Sequence, residues 1–345
     1  MKCLLYRDDN GLPLTLAFGD FGVQTLATAD PPMHTLHRST VFPELVARRM
    51  EMLAAEVADI ALTCVRSMIQ AGTTEFMGAV GNVLPMTVVS RLIGFHDSDP
   101  HLLIRAAFDS TELLRSTLSL HRLTELIGVV GEIDAWISGQ LAAAAHDPQA
   151  DILGSIATGV ADGLMSMYEG TIILHTLLSA GGESTTSLMG NEVRMLAADN
   201  ALQQQLRADP SLIPVFVEEA LRLQSPFRYL MRSAAQNTIL GGVEIPEGAT
   251  LLLFWGAANR DAARYPKPDK IDLTRRLISR HLAFGRGIHH CVGAPLARLE
   301  AKIVLEVLLA NSAAFTLDAD RAPRWVDSLL VRRHQALPLK ITQSK

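Results

Sequence analysis

Cys291 is the residue whose surroundings most plainly suggest chemistry. It follows Phe284-Gly285-Arg286-Gly287-Ile288-His289-His290 and precedes Val292-Gly293 and a helical pattern, APLARLEAKIVLEVLL. Glycines let a backbone turn tightly and approach a flat ligand closely. The unpaired N–H groups and dipole of a helix N-terminus favour thiolate over thiol, so a lowered pKa is expected for Cys291. Such a thiolate can act as a nucleophile, a metal ligand or a haem ligand; its bland alternative is a cysteine packed in a core. Spacing removes several rivals. His290 stands where G-x-G-x-x-G needs its third glycine, and the chain has no C-x-x-C and no G-x-S-x-G.

Two further groups of residues could do work. Ala180-Gly181-Gly182-Glu183-Ser184-Thr185 interrupts the longest helical candidate, residues 167–199, with glycines, a carboxylate and hydroxyls. Each helical Gly costs roughly 1 kcal/mol against Ala, so the break points to function. Glu219 and Arg222 form an E-x-x-R on another helical run, where i and i+3 share a face and can lock together.

These residues need positioning elements. Amphipathic helical patterns cover most of residues 41–145 and return on either side of residue 200. Residues 228–255, with GGVEIPEGA between β-like runs, are the one clear strand region, and residues 1–30 read as irregular. The chain has 345 residues, 48% hydrophobic, 19% charged and 5% aromatic, which excludes disorder and favours helices. Lys+Arg 31 against Asp+Glu 36 gives a net charge of −5, without the basic footprint of a nucleic-acid binder. Three cysteines, Cys3, Cys64 and Cys291, fit a reducing compartment. No signal peptide or membrane span is read, so a cytoplasmic location and no membrane partner are expected.

FGRGIHHCVGAPLAR resembles the haem-binding signature of soluble bacterial cytochromes P450, F-G-x-G-x-H-x-C-x-G-x-x-L-A-R. Phe284, Gly285, Gly287, His289, Cys291, Gly293, Leu296, Ala297 and Arg298 fall on it. The resemblance implies a haem-thiolate monooxygenase with haem b, Cys291 being the axial iron ligand. It makes Glu219 and Arg222 a structural pair, with Arg275 as candidate third member. AGGEST resembles the distal-helix motif, in which Ala180 and Gly181 leave room for dioxygen while Glu183 and a hydroxyl relay protons. Ser184 occupies the usual threonine position and Thr185 follows it. His34 and Arg38, with Arg232 and His289, are the implied propionate partners. Leu177, Leu178, Ala180 and Phe227 are the expected apolar substrate pocket, and Asn259-Arg260-Asp261 fits a recurring segment without assigned chemistry.

The implied fold is mainly α with small β-sheets, one P450 domain over residues 1–345. Residues 28–345 match, and residues 1–27 are atypical, too few for the family's N-terminal helix and part of its first sheet. An open sheet edge there would favour pairing into a homo-oligomer. Ferredoxin and its reductase are the implied partners, docking near Arg286, with a small apolar substrate. The alternatives are a P450-like haem protein without turnover (a sensor or remnant) and a peroxide-driven enzyme.

Overall fold

The computed structural model describes residues 4–7, 13–16, 24–45, 47–72, 74–95, 98–114 and 118–343. Its eleven α-helices are α1 Met33–Val41, α2 Ala47–Gln70, α3 Val83–Ile93, α4 Pro100–Glu112, α5 Leu120–Ala144, α6 Ile152–Ala161, α7 Met167–Ala197, α8 Asn200–Ala208, α9 Ile213–Leu223, α10 Trp255–Ala258 and α11 Ala294–Ala310. The ten strands are β1 Leu4–Arg7, β2 Pro13–Leu16, β3 Leu230–Ser233, β4 Thr238–Leu240, β5 Val243–Ile245, β6 Thr250–Leu253, β7 Ser312–Leu317, β8 Arg324–Trp325, β9 His334–Ala336 and β10 Leu339–Gln343. All pair as antiparallel two-stranded sheets: β1 with β2, β3 with β6, β4 with β5, β8 with β9, and β7 with β10. Among the described residues no helix is long and apolar enough to cross a membrane.

α7 is the axis of the molecule, and α3, α4, α5, α9 and α11 all pack on it. Its 31 residues tolerate the internal glycines because both ends of the problem are solved elsewhere. Ser166 and Glu169 close a capping box at the start, with Ser166 N–H on Glu169 Oε2 at 2.7 Å and Glu169 N–H on Ser166 Oγ at 3.1 Å. Nearly every other side is then enclosed by neighbouring helices, and tertiary packing overrides weak local propensity. One contiguous core runs from Leu26 to Leu339 and takes in Phe76, Ile137, Leu174, Val193, Phe216 and Val304.

Two expectations are corrected. Residues 4–7 and 13–16 pair as antiparallel strands where irregular chain was expected. Strands also lie beyond residues 228–255: β7 leaves α11 and pairs with β10, Leu317 opposite Leu339. Their pairing joins segments far apart in sequence, so neither shows a local hairpin signature.

Candidate active site

The Cys291 loop is built by its glycines. Gly285 and Gly287 have φ of +67° and +79°, which side-chain-bearing residues rarely adopt. The turn they permit lets Cys291 N–H reach Phe284 O at 2.9 Å and His290 N–H reach Gly287 O at 3.0 Å. Arg38, from α1, clamps the loop by donating to His290 O at 2.9 Å. Cys291 is thereby held exposed at the mouth of α11, not packed in the core. Its pKa is a correction to the sequence reading. Protein crowding around the sulfur pushes the thiol up, and the N–H groups of Gly293 and Ala294, with Arg298 and Arg38, only partly offset this. A bound metal ion would supply the missing stabilisation of the thiolate.

Beside the loop, cations gather. The His34 and His289 rings meet edge to face, 4.4 Å apart. Burial lowers the His289 pKa, and His34, Arg232 and Arg38 lower it further, while Asp30 opposes them. The structure thus brings His34, Arg38, Arg232 and His289 into one neighbourhood. Four potential cations against one carboxylate is a donor set suited to the paired carboxylates of a haem. With an accessible thiol and a glycine-shaped loop beside it, these residues fit that group.

On α7, most side chains near the glycines are buried, but Thr176, Leu177, Ser179, Ala180, Gly181 and Ser184 keep some exposure. Leu177, Ala180 and Ser184, at i, i+3 and i+7, share one partly open stripe of the helix. Thr185 is buried, so the hydroxyl on this stripe is that of Ser184, which donates to Ala180 O at 2.6 Å. Gly181 also has a packing role that the sequence did not show. A Cβ there would lie 2.7 Å from Val89 Cγ2, and one on Gly182 2.3 Å from Met86 Cε, so both glycines let α3 approach α7. Leu178 is fully enclosed in the core and does not share the stripe with Leu177. Phe227 is half-buried and bridges Val331.

Glu183 is buried and takes a hydrogen bond from Arg333 Nε at 2.8 Å. Burial pushes its carboxyl up; Arg333 and Thr111 pull it down, and Glu112 adds to the rise. Arg333 also lies over the Phe108 ring, 3.8 Å from its centroid. No sequence motif pointed to Arg333, 150 residues away.

Glu219 and Arg222 are both fully buried and joined by two hydrogen bonds, at 2.7 and 2.9 Å. Arg275 adds a third, Nε to Glu219 Oε1 at 3.1 Å, and Asp272 N–H a fourth to Oε2 at 2.9 Å. Arg222 also donates to the carbonyls of Asn259, Pro268 and Lys270. Asn259 acquires a role here. It donates to Ser225 Oγ and accepts from Leu282 N–H at 2.7 Å, tying α9 to the approach of the Cys291 loop. Arg298 does not face the cation group; it pairs with Glu218 at 2.6 Å and lies 4.5 Å from the Phe284 ring centroid, bracing the loop. A cavity of about 580 Å³ lined by Arg228, Phe254, Arg260 and Arg332 contains none of the expected site residues.

The family model described as Cytochrome P450 matches residues 183–331. "Cytochrome P450 144" of Mycobacterium tuberculosis is 40% identical over 316 residues, covering 92% of this chain and 72% of that protein. The chain belongs to the cytochrome P450 family. A second relative of this P450, "6-deoxyerythronolide B hydroxylase" of Saccharopolyspora erythraea, is 33% identical over 322 residues, 92% of this chain and 78% of that one. Cytochrome P450 CREJ, solved in complex with (4-ethylphenyl) dihydrogen phosphate, superimposes with a TM-score of 0.88 at 27% identity, covering 94% of this chain and 82% of that one. P450BioI, solved with a fatty-acyl carrier protein, gives 0.87 at 27% identity, over 92% and 82%. The P450 fold is therefore shown, as are P450 monooxygenase activity and, through the family, haem dependence.

Proposed function

We propose that this P450 is a cytoplasmic haem b monooxygenase that inserts one oxygen atom of O2 into a small apolar substrate, with electrons from a ferredoxin and its reductase. The observation that carries this reading is the joint placement of an accessible Cys291 on a glycine-shaped loop and the His34, Arg38, Arg232 and His289 group beside it. In this reading Cys291 would hold the haem iron through its sulfur, and the four basic residues would hold the propionates. Haem with an axial thiolate, as in P450s generally, supplies the electron push that favours O–O cleavage.

The protein's own contribution is positioning, proton supply and exclusion of water. Arg38 pins the loop through His290 O, and Arg298 supports Phe284 from behind. In this reading Glu183, buried against Arg333, is the proton-carrying group, and ordered water links it to the Ser184 hydroxyl on the open stripe. Leu177 and Ala180 give that stripe an apolar lining, which supports an apolar substrate, with half-buried Phe227 nearby in role. Exposed Arg286 and the carbonyl-anchored Arg38 give the Cys291 side a basic character that suits an acidic electron donor.

The test is turnover with a ferredoxin system and a panel of apolar ligands. Ligands that perturb the haem spectrum are expected to yield oxygenated product in step with NADPH and O2 consumption. Ligand binding with no oxygenated product would contradict the monooxygenase reading.

A further inference from the structure

Three arginines from separate connections converge on the cavity of about 580 Å³ that the haem site does not use. Arg228 stands between α9 and β3, Arg260 just after α10, and Arg332 between β8 and β9. Backbone bonds fix two of them in place. Arg228 N–H donates to Leu330 O at 2.9 Å, and its carbonyl accepts from Gly256 N–H at 3.0 Å. Arg332 N–H donates to Pro226 O at 2.8 Å, and its carbonyl accepts from Asn191 Nδ2 at 3.0 Å.

The side chains of these arginines are short of acceptors. Among the described residues the Arg228 guanidinium has no hydrogen bond or ion pair. Arg332 gives Nε to Gln224 Oε1 and lies 4.3 Å from the Trp325 ring centroid, which leaves its two terminal amino groups without an acceptor among those residues. Burial, with Arg228, Arg194 and Arg260 nearby, pulls the Arg332 pKa down to about 10. Arg260 gives one amino group to Leu223 O at 2.8 Å and the other to exposed Asp269, which does not line the cavity. Half-buried like charges repel one another and are costly without an anion between them. In a chain of net charge −5 they form a local positive focus.

Much of the remaining wall is apolar. It includes Leu252 and the Tyr229 and Phe254 rings, whose centroids lie 5.5 Å apart. An inorganic ion would satisfy the arginines and leave this wall wet, and a neutral apolar molecule would do the reverse. The cavity falls within the roughly 300–1,000 Å³ of small-molecule sites, which favours a small ligand over a polypeptide chain.

We propose that this cavity binds an organic anion, its carboxylate or phosphate head held by Arg228 and Arg332 and its apolar body lying against Tyr229 and Phe254. The guanidinium fork matches both kinds of head group. The site is separate from the haem pocket and does not depend on the monooxygenase reading.

Calorimetric titration of the haem-loaded protein with octanoate, octyl phosphate, octanol and inorganic phosphate tests this. At least one octyl anion is expected to bind tenfold or more tightly than octanol and inorganic phosphate, and the tighter of the two names the head group. Arg228→Gln removes no side-chain bond of the fold and is expected to weaken that binding on the order of tenfold; Arg332→Gln should do the same. Unchanged affinity in both variants, equal binding of octanol, or no binding of either octyl anion would overturn the proposal. Binding of a glutamate-rich peptide but of neither octyl anion would overturn it in favour of a polypeptide partner. The haem absorption spectrum separates this site from the haem pocket. Any shift that the octyl anion causes there is expected to be the same in Arg228→Gln as in the unsubstituted protein. A shift lost together with the binding would put the anion at the haem and overturn the proposal.

Discussion

Arg333 Nε donates to Glu183 Oε1 at 2.8 Å, so the carboxylate of the distal helix carries its own counter-ion from β9's approach. With side chains 12% and 4% exposed, the two form a buried pair whose members depend on each other. Removing Arg333 alone strands a carboxylate. Arg333→Ala is expected to lower stability by roughly 3 kcal/mol, and pairing it with Glu183→Gln to recover much of that loss. Denaturant unfolding of the two single variants and the double variant reads the coupling. Strict additivity would mean that the contact carries no energy.

Glu219 and Arg222 are more deeply committed. Arg222→Ala leaves a fully buried carboxylate with only Arg275 and one backbone N–H, and frees three carbonyls. A loss of about 4 kcal/mol or more is expected, enough to remove most of a typical domain's margin. The checks are soluble yield and haem retention, and a variant that purifies with full haem would contradict this.

The helix glycines make a graded prediction. A Cβ on Gly181 meets stiff, β-branched Val89, whereas one on Gly182 meets the flexible end of Met86. Each substitution gains about 1 kcal/mol of helix propensity, and overpacking costs roughly 1–3 kcal/mol. Gly181→Ala should therefore be destabilising and Gly182→Ala close to neutral in thermal unfolding. The reverse order would place the tight contact elsewhere.

Acid should unfold this protein in two stages. His334 stacks on Trp325 at 3.6 Å and is held neutral, its pKa lowered to about 3 by burial and by Arg194 and Arg332. The unfolded ring takes up a proton near pH 6.5, so stability falls as pH drops from 6.5 toward 3, by about 1.4 kcal/mol per unit. Burial pushes the Glu218 carboxyl up, but His281, 3.3 Å away, and the Arg298 hydrogen bonds outweigh it and lower its pKa to about 2. Its contribution, about 3 kcal/mol, is present above pH 4.5 and lost as pH falls through 2. His334→Phe, which keeps the stack, should flatten the stability curve between pH 6.5 and 4.5 and leave the second stage. An unchanged slope would assign the first stage to other groups.

Where one short segment held both the signal and the structure, the sequence was readable. The Cys291 loop, the extent of α7 and the Glu219–Arg222 pair follow from local spacing, glycine pattern and helical period, whereas Arg275, 56 residues from Glu219, was reached only through the family resemblance. Contacts between distant segments were not readable: Arg333 reaches Glu183, and Asn259 reaches Leu282, through the folded arrangement alone. Gly181 shows a second kind of loss. A missing side chain announces that space is needed but not for whom, and here the occupant is Val89. The Cys291 thiol illustrates competing effects, because the helix N-terminus does favour thiolate, yet crowding by protein outweighs it until a metal is bound.

The central claim is that Cys291 binds haem iron as a thiolate, and the reduced, CO-bound absorption spectrum of the haem-loaded protein tests it most directly. The red-shifted Soret band of thiolate-ligated haem is the predicted result, lost in Cys291→Ser. A band at the ordinary shorter wavelength in the unsubstituted protein would contradict the claim, because it would show the sulfur to be protonated or displaced from the iron.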